Sequence, residues 1–321
     1  MNILITGGTG YLGGRLAQFL FTHGHTIFLG SRQKKPSPDW LPQAHMVQTL
    51  WDSSGALERI CHHMDVVVHA AGMNAEDCAY DPVGALAFNG VCTSRLLQAA
   101  IQTNVPRFIY ASTAHVYHSP LIGTCTESTN PTNLHPYATS HRAGEDVVLR
   151  ASQEKKINGI VFRLSNAYGA PAESKAKCWN LLVNDLCHQA VTSGQMILHS
   201  SGMQRRDFVA LTDVCRAIEH LIVLPKQQMN TSLFNIGGQW APTVWEMACL
   251  LQERCETTLG FRPKLSRVLP CDREQSIEFE YRLDAMEQIG FNVDVKPSQE
   301  IDRLLTFCHE KFVTLEVDYH Q

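Results

Sequence analysis

The sequence lacks any apolar run of roughly 18 or more residues, the length a membrane-spanning helix needs. It has no long basic run either, and 27 Lys+Arg against 31 Asp+Glu leave a formal net charge of -4. Neither nucleic acid nor a membrane is expected as a partner. The start, Met1-Asn2-Ile3-Leu4-Ile5-Thr6-Gly7, carries no basic segment and breaks at glycine at once. It reads as a buried strand, not a signal peptide. No C-x-x-C pair occurs among the 11 cysteines, and their number is odd. Scattered this way, they read as reduced thiols packed as small apolar groups, as expected of a cytoplasmic protein. Internal repeats and low-complexity segments are also absent. The 321 residues suffice for one large or two smaller domains.

What is present begins with a strand at residues 2–6, followed by Gly7-Gly8-Thr9-Gly10-Tyr11-Leu12-Gly13-Gly14 and a helical pattern at 15–20. Gly7 allows a tight turn, Gly10 lets backbone approach a pyrophosphate, and Gly13 lets the helix pack close to a sheet. The helix start at Tyr11 and Leu12 offers free N–H groups and a partial positive charge to phosphate. A second strand at 26–29 runs into Gly30-Ser31-Arg32-Gln33-Lys34-Lys35. An NAD site usually carries a carboxylate there to hold the ribose 2′-hydroxyl; here Ser31 stands in its place. Arg32 suits a 2′-phosphate, with Lys34 or Lys35 adding charge, so NADP is the expected cofactor and NAD the second choice. The plainer alternative is a solvated basic turn.

Asp52 either accepts from the adenine amino group or caps a helix over 53–62. Residues 65–72 form a continuous apolar strand closing on Ala70, Ala71 and Gly72, small enough for a cofactor to lie against the strand tip. A helix is predicted over 81–104. Asn89 inside it is read in isolation as structural, bonding the helix backbone or a water, and is kept among the candidate cofactor-binding residues. Strands follow at 107–113 and 159–164, separated by a helix that Pro136 starts. Strands and helices thus alternate to about residue 170, which predicts an α/β fold with a doubly wound parallel sheet. Beyond it come a mixed, helical stretch at 172–205, strand signals near 206–214 and 234–238, a helix over 242–259 and an exposed tail at 317–321.

Six segments together resemble a known family. They are Thr6-Gly7-Gly8-Thr9-Gly10-Tyr11-Leu12-Gly13, His69-Ala70-Ala71-Gly72, Ser112-Thr113-Ala114-His115-Val116-Tyr117, Tyr137 with Ser140, Arg163-Leu164-Ser165-Asn166-Ala167-Tyr168-Gly169, and Arg206-Asp207-Phe208. The chain resembles the extended short-chain dehydrogenase/reductases, the NAD-dependent epimerase/dehydratase group, over nearly its whole length. The resemblance implies a Rossmann-type doubly wound parallel sheet over 1–170, with return of about 206–240. It also implies a smaller mixed α/β C-terminal substrate domain from 171–205 and 241–321. Many members act on nucleotide sugars as homodimers held by a four-helix interface.

By family position, Tyr137 is the acid/base and Thr113 hydrogen-bonds the substrate oxygen. A free tyrosine titrates near about 10, too high for a base at neutral pH. The family lowers it with a lysine four residues on and with the nicotinamide's charge. Here that position is His141, on the same helix face as Tyr137. A neutral imidazole can still bond the nicotinamide ribose. With an ordinary pKa near about 6.5 it is mostly uncharged at pH 7 and helps Tyr137 ionise less than lysine does. Arg142 lies about 100° further round the helix and does not substitute. A tuned site, a slow one, and a cofactor-binding protein without catalysis all stay open.

His115 stands where the dehydratase branch carries glutamate, and Ala114 where it carries aspartate, so water elimination is not expected. His115 is either a second acid/base or a loop histidine bonding the backbone. The cluster His115, His118, His135 and His141 lacks an accompanying Cys or carboxylate pattern, and no metal is expected. Asn166 and Arg206 match family positions that contact the diphosphate of a nucleotide sugar. Asp207 and Asp213 read as structural, a fold-holding carboxylate and a helix cap. The family's C-terminal arginine before Pro-Gly-Asp is out of register with Leu269-Pro270-Cys271-Asp272, flanked by Arg267 and Arg273. The expected function is an NADP-preferring keto-sugar reductase or epimerase acting on a nucleotide sugar. The alternatives are a reductase of a small non-nucleotide carbonyl compound and a non-catalytic NADP-binding sensor.

Overall fold

Short apolar strands alternating with helices dictate the first half of the molecule. The computed structural model describes residues 1–271 and 274–313, so Asp272, Arg273 and the tail at 317–321 lie outside the described residues. The strands are β1 (Asn2–Thr6), β2 (Thr26–Ser31), β3 (His45–Gln48), β4 (Val66–His69), β5 (Arg107–Thr113), β6 (Gly123–Cys125), β7 (Asn158–Leu164), β8 (Asn166–Tyr168), β9 (Gln195–Leu198), β10 (Phe208–Ala210), β11 (Leu233–Ile236), β12 (Lys264–Arg267) and β13 (Phe279–Tyr281). Seven form one parallel sheet in the order β11-β7-β5-β4-β1-β2-β3. This is the doubly wound, Rossmann-type architecture. β1, β4, β5 and β7 are almost wholly buried, because helices cover both faces. Strand order reverses between β1 and β4, which opens a crevice beyond their carboxyl ends. β11 joins the edge beside β7, so the chain returns to the sheet late in the sequence.

A second apolar core gathers Leu186, Leu198, Met247, Leu251, Ile301 and Leu304. Three helices supply most of it: Leu182–Ser193, Val244–Leu259 and Pro297–Phe312. The predicted helix over 242–259 starts two residues later, because Thr243 is its cap in a reciprocal pair with Glu246. Three further pairs are parallel and two-stranded: β8 with β10, β9 with β12 and β6 with β13. Among the described residues, no helix is long and apolar enough to cross a membrane.

The helix expected over 81–104 is interrupted. It runs as Pro82–Ala85, a π-helical stretch Leu86–Cys92, and Thr93–Gln102. Within the π turn the Asn89 carbonyl accepts the Thr93 hydroxyl at 2.6 Å. Asp213 also departs from expectation. It lies in the first turn of the helix Leu211–Val223 but accepts from the backbone N–H groups of Asp294 and Val295, so it ties down a distant segment and does not cap its own helix. Asp207 holds the fold as expected, accepting from Ser165 Oγ, Gly238 N and Trp240 N.

Candidate functional site

The glycine loop sits in the crevice between β1 and β4. Gly7 has φ +69°, and a Cβ there would stand 2.8 Å from Ala70 O and Ala71 N. The two strand-end loops therefore touch only because residue 7 is glycine. Gly10 N donates to Gly7 O at 2.8 Å, and the helix Tyr11–Thr22 begins without a side-chain cap. Its first N–H groups stay open to an anion, so the cradle fits a dinucleotide pyrophosphate. Tyr11 and Leu12 offer only backbone: the Tyr11 hydroxyl donates to Gly169 O at 3.1 Å, and Leu12 packs on the first core. Lys35 Nζ donates to Thr9 Oγ1 at 3.2 Å, so this lysine leans over the glycine loop. Ser31 Oγ accepts from Gln33 N, and the exposed Arg32 guanidinium has no protein partner among the described residues. Asp52 does not cap the next helix; Ser53 does, because its hydroxyl reaches Ala56 N. The Asp52 carboxylate is exposed and paired with Arg95.

Across the crevice lies the helix Pro136–Gln153. Pro136 occupies its first turn, and His135 Nδ1 caps it by accepting from Tyr137 N at 3.2 Å. Burial pushes the Tyr137 phenol up, a hydrogen bond with the Thr113 side chain opposes this, and Cys78 adds to the rise. The Tyr137 and His141 rings meet edge to face with centroids 4.7 Å apart. Burial lowers His141 to about 4. It is therefore neutral at pH 7 and gives Tyr137 no positive charge, a larger departure from lysine than spacing alone indicates.

Behind this pair the polar groups form a closed set. His141 Nδ1 lies 3.1 Å from Tyr110 Oη. Asn89 Oδ1 accepts from Met73 N, and its Nδ2 donates to Ser140 Oγ, both at 3.0 Å. Asn89 is buried, with its amide oxygen and nitrogen both engaged by protein groups. Thr6 Oγ1 meets His69 Nδ1 at 2.6 Å, and His69 Nε2 meets Thr93 Oγ1 at 2.9 Å. The Thr93 hydroxyl already donates to Asn89 O, so it can only accept from His69. His69 is thereby the Nε2–H tautomer, and burial lowers it to about 3.

His115, Asn166 and Arg206 come together in a cleft of about 360 Å³. Ser119, Leu121, Ile122, Met203, Gln204 and Ile277 complete much of the wall; Thr113 and Tyr137 are outside the lining. The reading of His115 as a loop histidine bonding the backbone does not hold for its ring. Its main chain is pinned, with N donating to Thr113 Oγ1 and O accepting from Asn133 Nδ2, while the imidazole has no protein partner among the described residues. The side chain is open to solvent through the cleft, yet the surrounding protein, then Arg206 and His135, lower its pKa. Asn166 Nδ2 donates to Asp207 O, and its amide oxygen has no protein partner among the described residues. Burial also lowers Arg206. The remaining histidines diverge, His118 to Cys125 Sγ and His135 to its cap, and no metal-holding group of three or more His, Cys, Asp or Glu occurs among the described residues.

A family model described as the NAD dependent epimerase/dehydratase family matches residues 3–237. The chain belongs to this family. A dTDP-D-glucose 4,6-dehydratase of Mus musculus is 31% identical over 208 residues, covering 64% of the chain and 54% of that protein. The chain thus matches about half the length of the mammalian relative. A dTDP-glucose 4,6-dehydratase of Actinoplanes is 27% identical over 79% of the chain and 82% of its own length. Among solved structures, the UDP-glucose 4-epimerase of Thermotoga maritima with UDP-glucose superposes with a TM-score of 0.80 at 21% identity, over 97% of this chain and 99% of that one.

Within the epimerase/dehydratase family frame, two functional neighbours escaped the sequence. Tyr110 is an unremarked strand residue, yet it touches His141. Glu145 pairs with Arg163 and accepts from Ser112, which locks the Tyr137 helix onto β5 and β7. One signal was available: Gly144 interrupts a helical pattern, and a Cβ there would stand 2.5 Å from Tyr110 Oη.

Proposed function

We propose that the protein is an NAD(P)-dependent enzyme acting on a nucleotide sugar, as a keto-sugar reductase or epimerase. One observation carries this reading: the fold gathers His115, Asn166 and Arg206 in one cleft, while Thr113, two residues before His115, is near enough to Tyr137 to oppose the rise of its phenol pKa. The bound nicotinamide would accept or donate the hydride. Tyr137 takes or returns the proton of the sugar hydroxyl, and Thr113 fixes that oxygen. Arg206 and Asn166 hold the diphosphate. Ala114 and His115 offer no carboxylic acid, so dehydration is not part of the proposal, although relatives carry that name.

The free Arg32 and the missing carboxylate after β2 support a 2′-phosphate, hence NADP ahead of NAD. Arg32→Ala is expected to weaken NADP roughly tenfold and leave NAD unchanged, as for loss of one charge-assisted hydrogen bond. Equal loss for both cofactors would remove Arg32 from that role. The sheet unit over 1–170 with 206–240 would hold the cofactor, and 171–205 with 241–321 would complete the substrate site. Eleven free cysteines fit a reducing compartment, the cytoplasm.

The decisive experiment is Tyr137→Phe, assayed with UDP- and dTDP-sugars and with NADP or NAD. Turnover is expected to fall by about 10³ or more with cofactor affinity intact. Turnover retained within a few fold would overturn the assignment. A second reading, a cofactor-binding protein without turnover, draws support from the neutral His141 beside a raised Tyr137. Wild-type protein that binds cofactor but turns over no sugar until His141→Lys is introduced would favour it.

A further inference from the structure

We infer that Tyr110 is a positioning residue that selects the tautomer of His141, holding Nδ1 as the acceptor so that Nε2–H faces the cofactor cradle. This deepens the cofactor reading above and rests on it for the identity of what Nε2–H meets.

The contact is short and dry: Tyr110 Oη lies 3.1 Å from His141 Nδ1, and both side chains are buried. Two proton placements satisfy it. In one, the phenol donates to Nδ1. In the other, Nδ1–H donates to the phenol oxygen, and Tyr110 sends its own hydrogen to Asn89 O. That carbonyl is 3.4 Å away and already takes the Thr93 hydroxyl at 2.6 Å. Proton affinity separates the two. Imidazole nitrogen, with a conjugate acid near about 6.5, is a far better acceptor than a phenol oxygen, and a phenol of pKa near about 10 is a better donor than neutral imidazole N–H. The first placement therefore wins.

The other end of the ring shows the consequence. A Cβ at residue 72 would stand 3.4 Å from His141 Cε1 and 3.6 Å from Nε2. The ring edge carrying Nε2 thus borders the strand-end loop Ala70-Ala71-Gly72, and Nε2 has no protein partner among the described residues. A lysine here would donate whichever way its ammonium turned. Imidazole donates only from the nitrogen that carries hydrogen. With lysine replaced by histidine, the residue behind the ring decides whether a ribose hydroxyl meets a donor or an acceptor. Residue 144 must be glycine for Tyr110 to reach this position, since a Cβ there would stand 2.5 Å from its hydroxyl.

The test begins without cofactor. Protein labelled with [15N]histidine is read by two-bond 1H–15N correlation, with His141→Lys identifying the signal. Wild type is expected to show Nδ1 bare and Nε2 protonated; hydrogen on Nδ1 overturns the inference. Tyr110→Phe, equal in shape, is expected to shift the tautomer towards a mixture and weaken NAD(P) binding roughly tenfold, about one hydrogen bond. In a His141→Lys background the same change is expected to move affinity by less than about twofold, because lysine has no tautomer to select. Equal loss in both backgrounds assigns Tyr110 to packing and overturns the inference. If wild type binds no NAD(P) at all, the cofactor reading fails, while the spectrum still decides which nitrogen Tyr110 protonates.

Discussion

His141 shows burial overriding chemistry at a single residue. Its unfolded form takes a proton near pH 6.5, its folded form only near about 4, and His69 only near about 3. Stability from keeping both neutral is complete above pH 6.5 and is lost as pH falls, by up to roughly 1.4 kcal/mol per unit for each histidine. Asp207 acts in the opposite sense. Burial holds its folded form up to about 6, so stability is gained as pH falls from there towards the ordinary carboxylate value. Comparing wild type with His141→Gln isolates the one histidine. Denaturant unfolding at pH 7.5 and 4.5 is expected to show a loss about 2 kcal/mol smaller in the variant. Parallel losses would mean that His141 protonates freely in the folded protein. The same shift predicts no inflection from His141 in an activity profile between pH 5 and 8.

The helix Pro136–Gln153 is the element on which the site depends, and a buried ion pair sets its position. Glu145 and Arg163 are both almost wholly excluded from solvent, and Arg163 also lies over the Tyr117 ring with 4.6 Å to its centroid. Removing one partner strands a buried charge. Glu145→Ala is expected to lower unfolding free energy by about 3 to 5 kcal/mol, read as a large fall in Tm. A change of a few tenths would show the pair to be idle. The strand, glycine turn and helix of residues 2–22 could be read from the sequence, because residues that meet there are close in the chain. So could the shared face of Tyr137 and His141, which follows from helical spacing. Contacts made across long separations could not. Tyr110 and His141 stand 31 positions apart, and Ser112 and Glu145 33, with no local pattern to link them. The π turn at Leu86–Cys92 is not legible within the helix predicted over 81–104, because it shifts phase without changing composition. His115, Asn166 and Arg206 were named from family resemblance, and the fold does gather them in one cleft.

At the scale of the molecule, an apolar face stands uncovered beside the π turn. Tyr80, the last residue of the helix Ala75–Tyr80, is 93% exposed and Val83 in the next helix 80%, with Leu86 and Val91 of the π turn also exposed. We propose this face as the surface of the homodimer that the family resemblance implies. Leu86→Asp, at an exposed position, is expected to leave the fold intact and shift the protein to monomer in light scattering. An unchanged mass would exclude the face from assembly. The thiols supply a different kind of readout. Nine of the eleven cysteines are buried, among them Cys125 and Cys215 in the first core and Cys187, Cys255 and Cys308 in the second; Cys249 is half-buried and Cys271 exposed. Burial raises Cys61, Cys178, Cys215, Cys255 and Cys308 to about 12, so none is a reactive thiolate while the protein is closed. The chain therefore carries its own set of clocks: alkylation of each buried sulfur times the opening of its surroundings, and mass spectrometry of labelled fragments would rank the two cores by how often each one breathes.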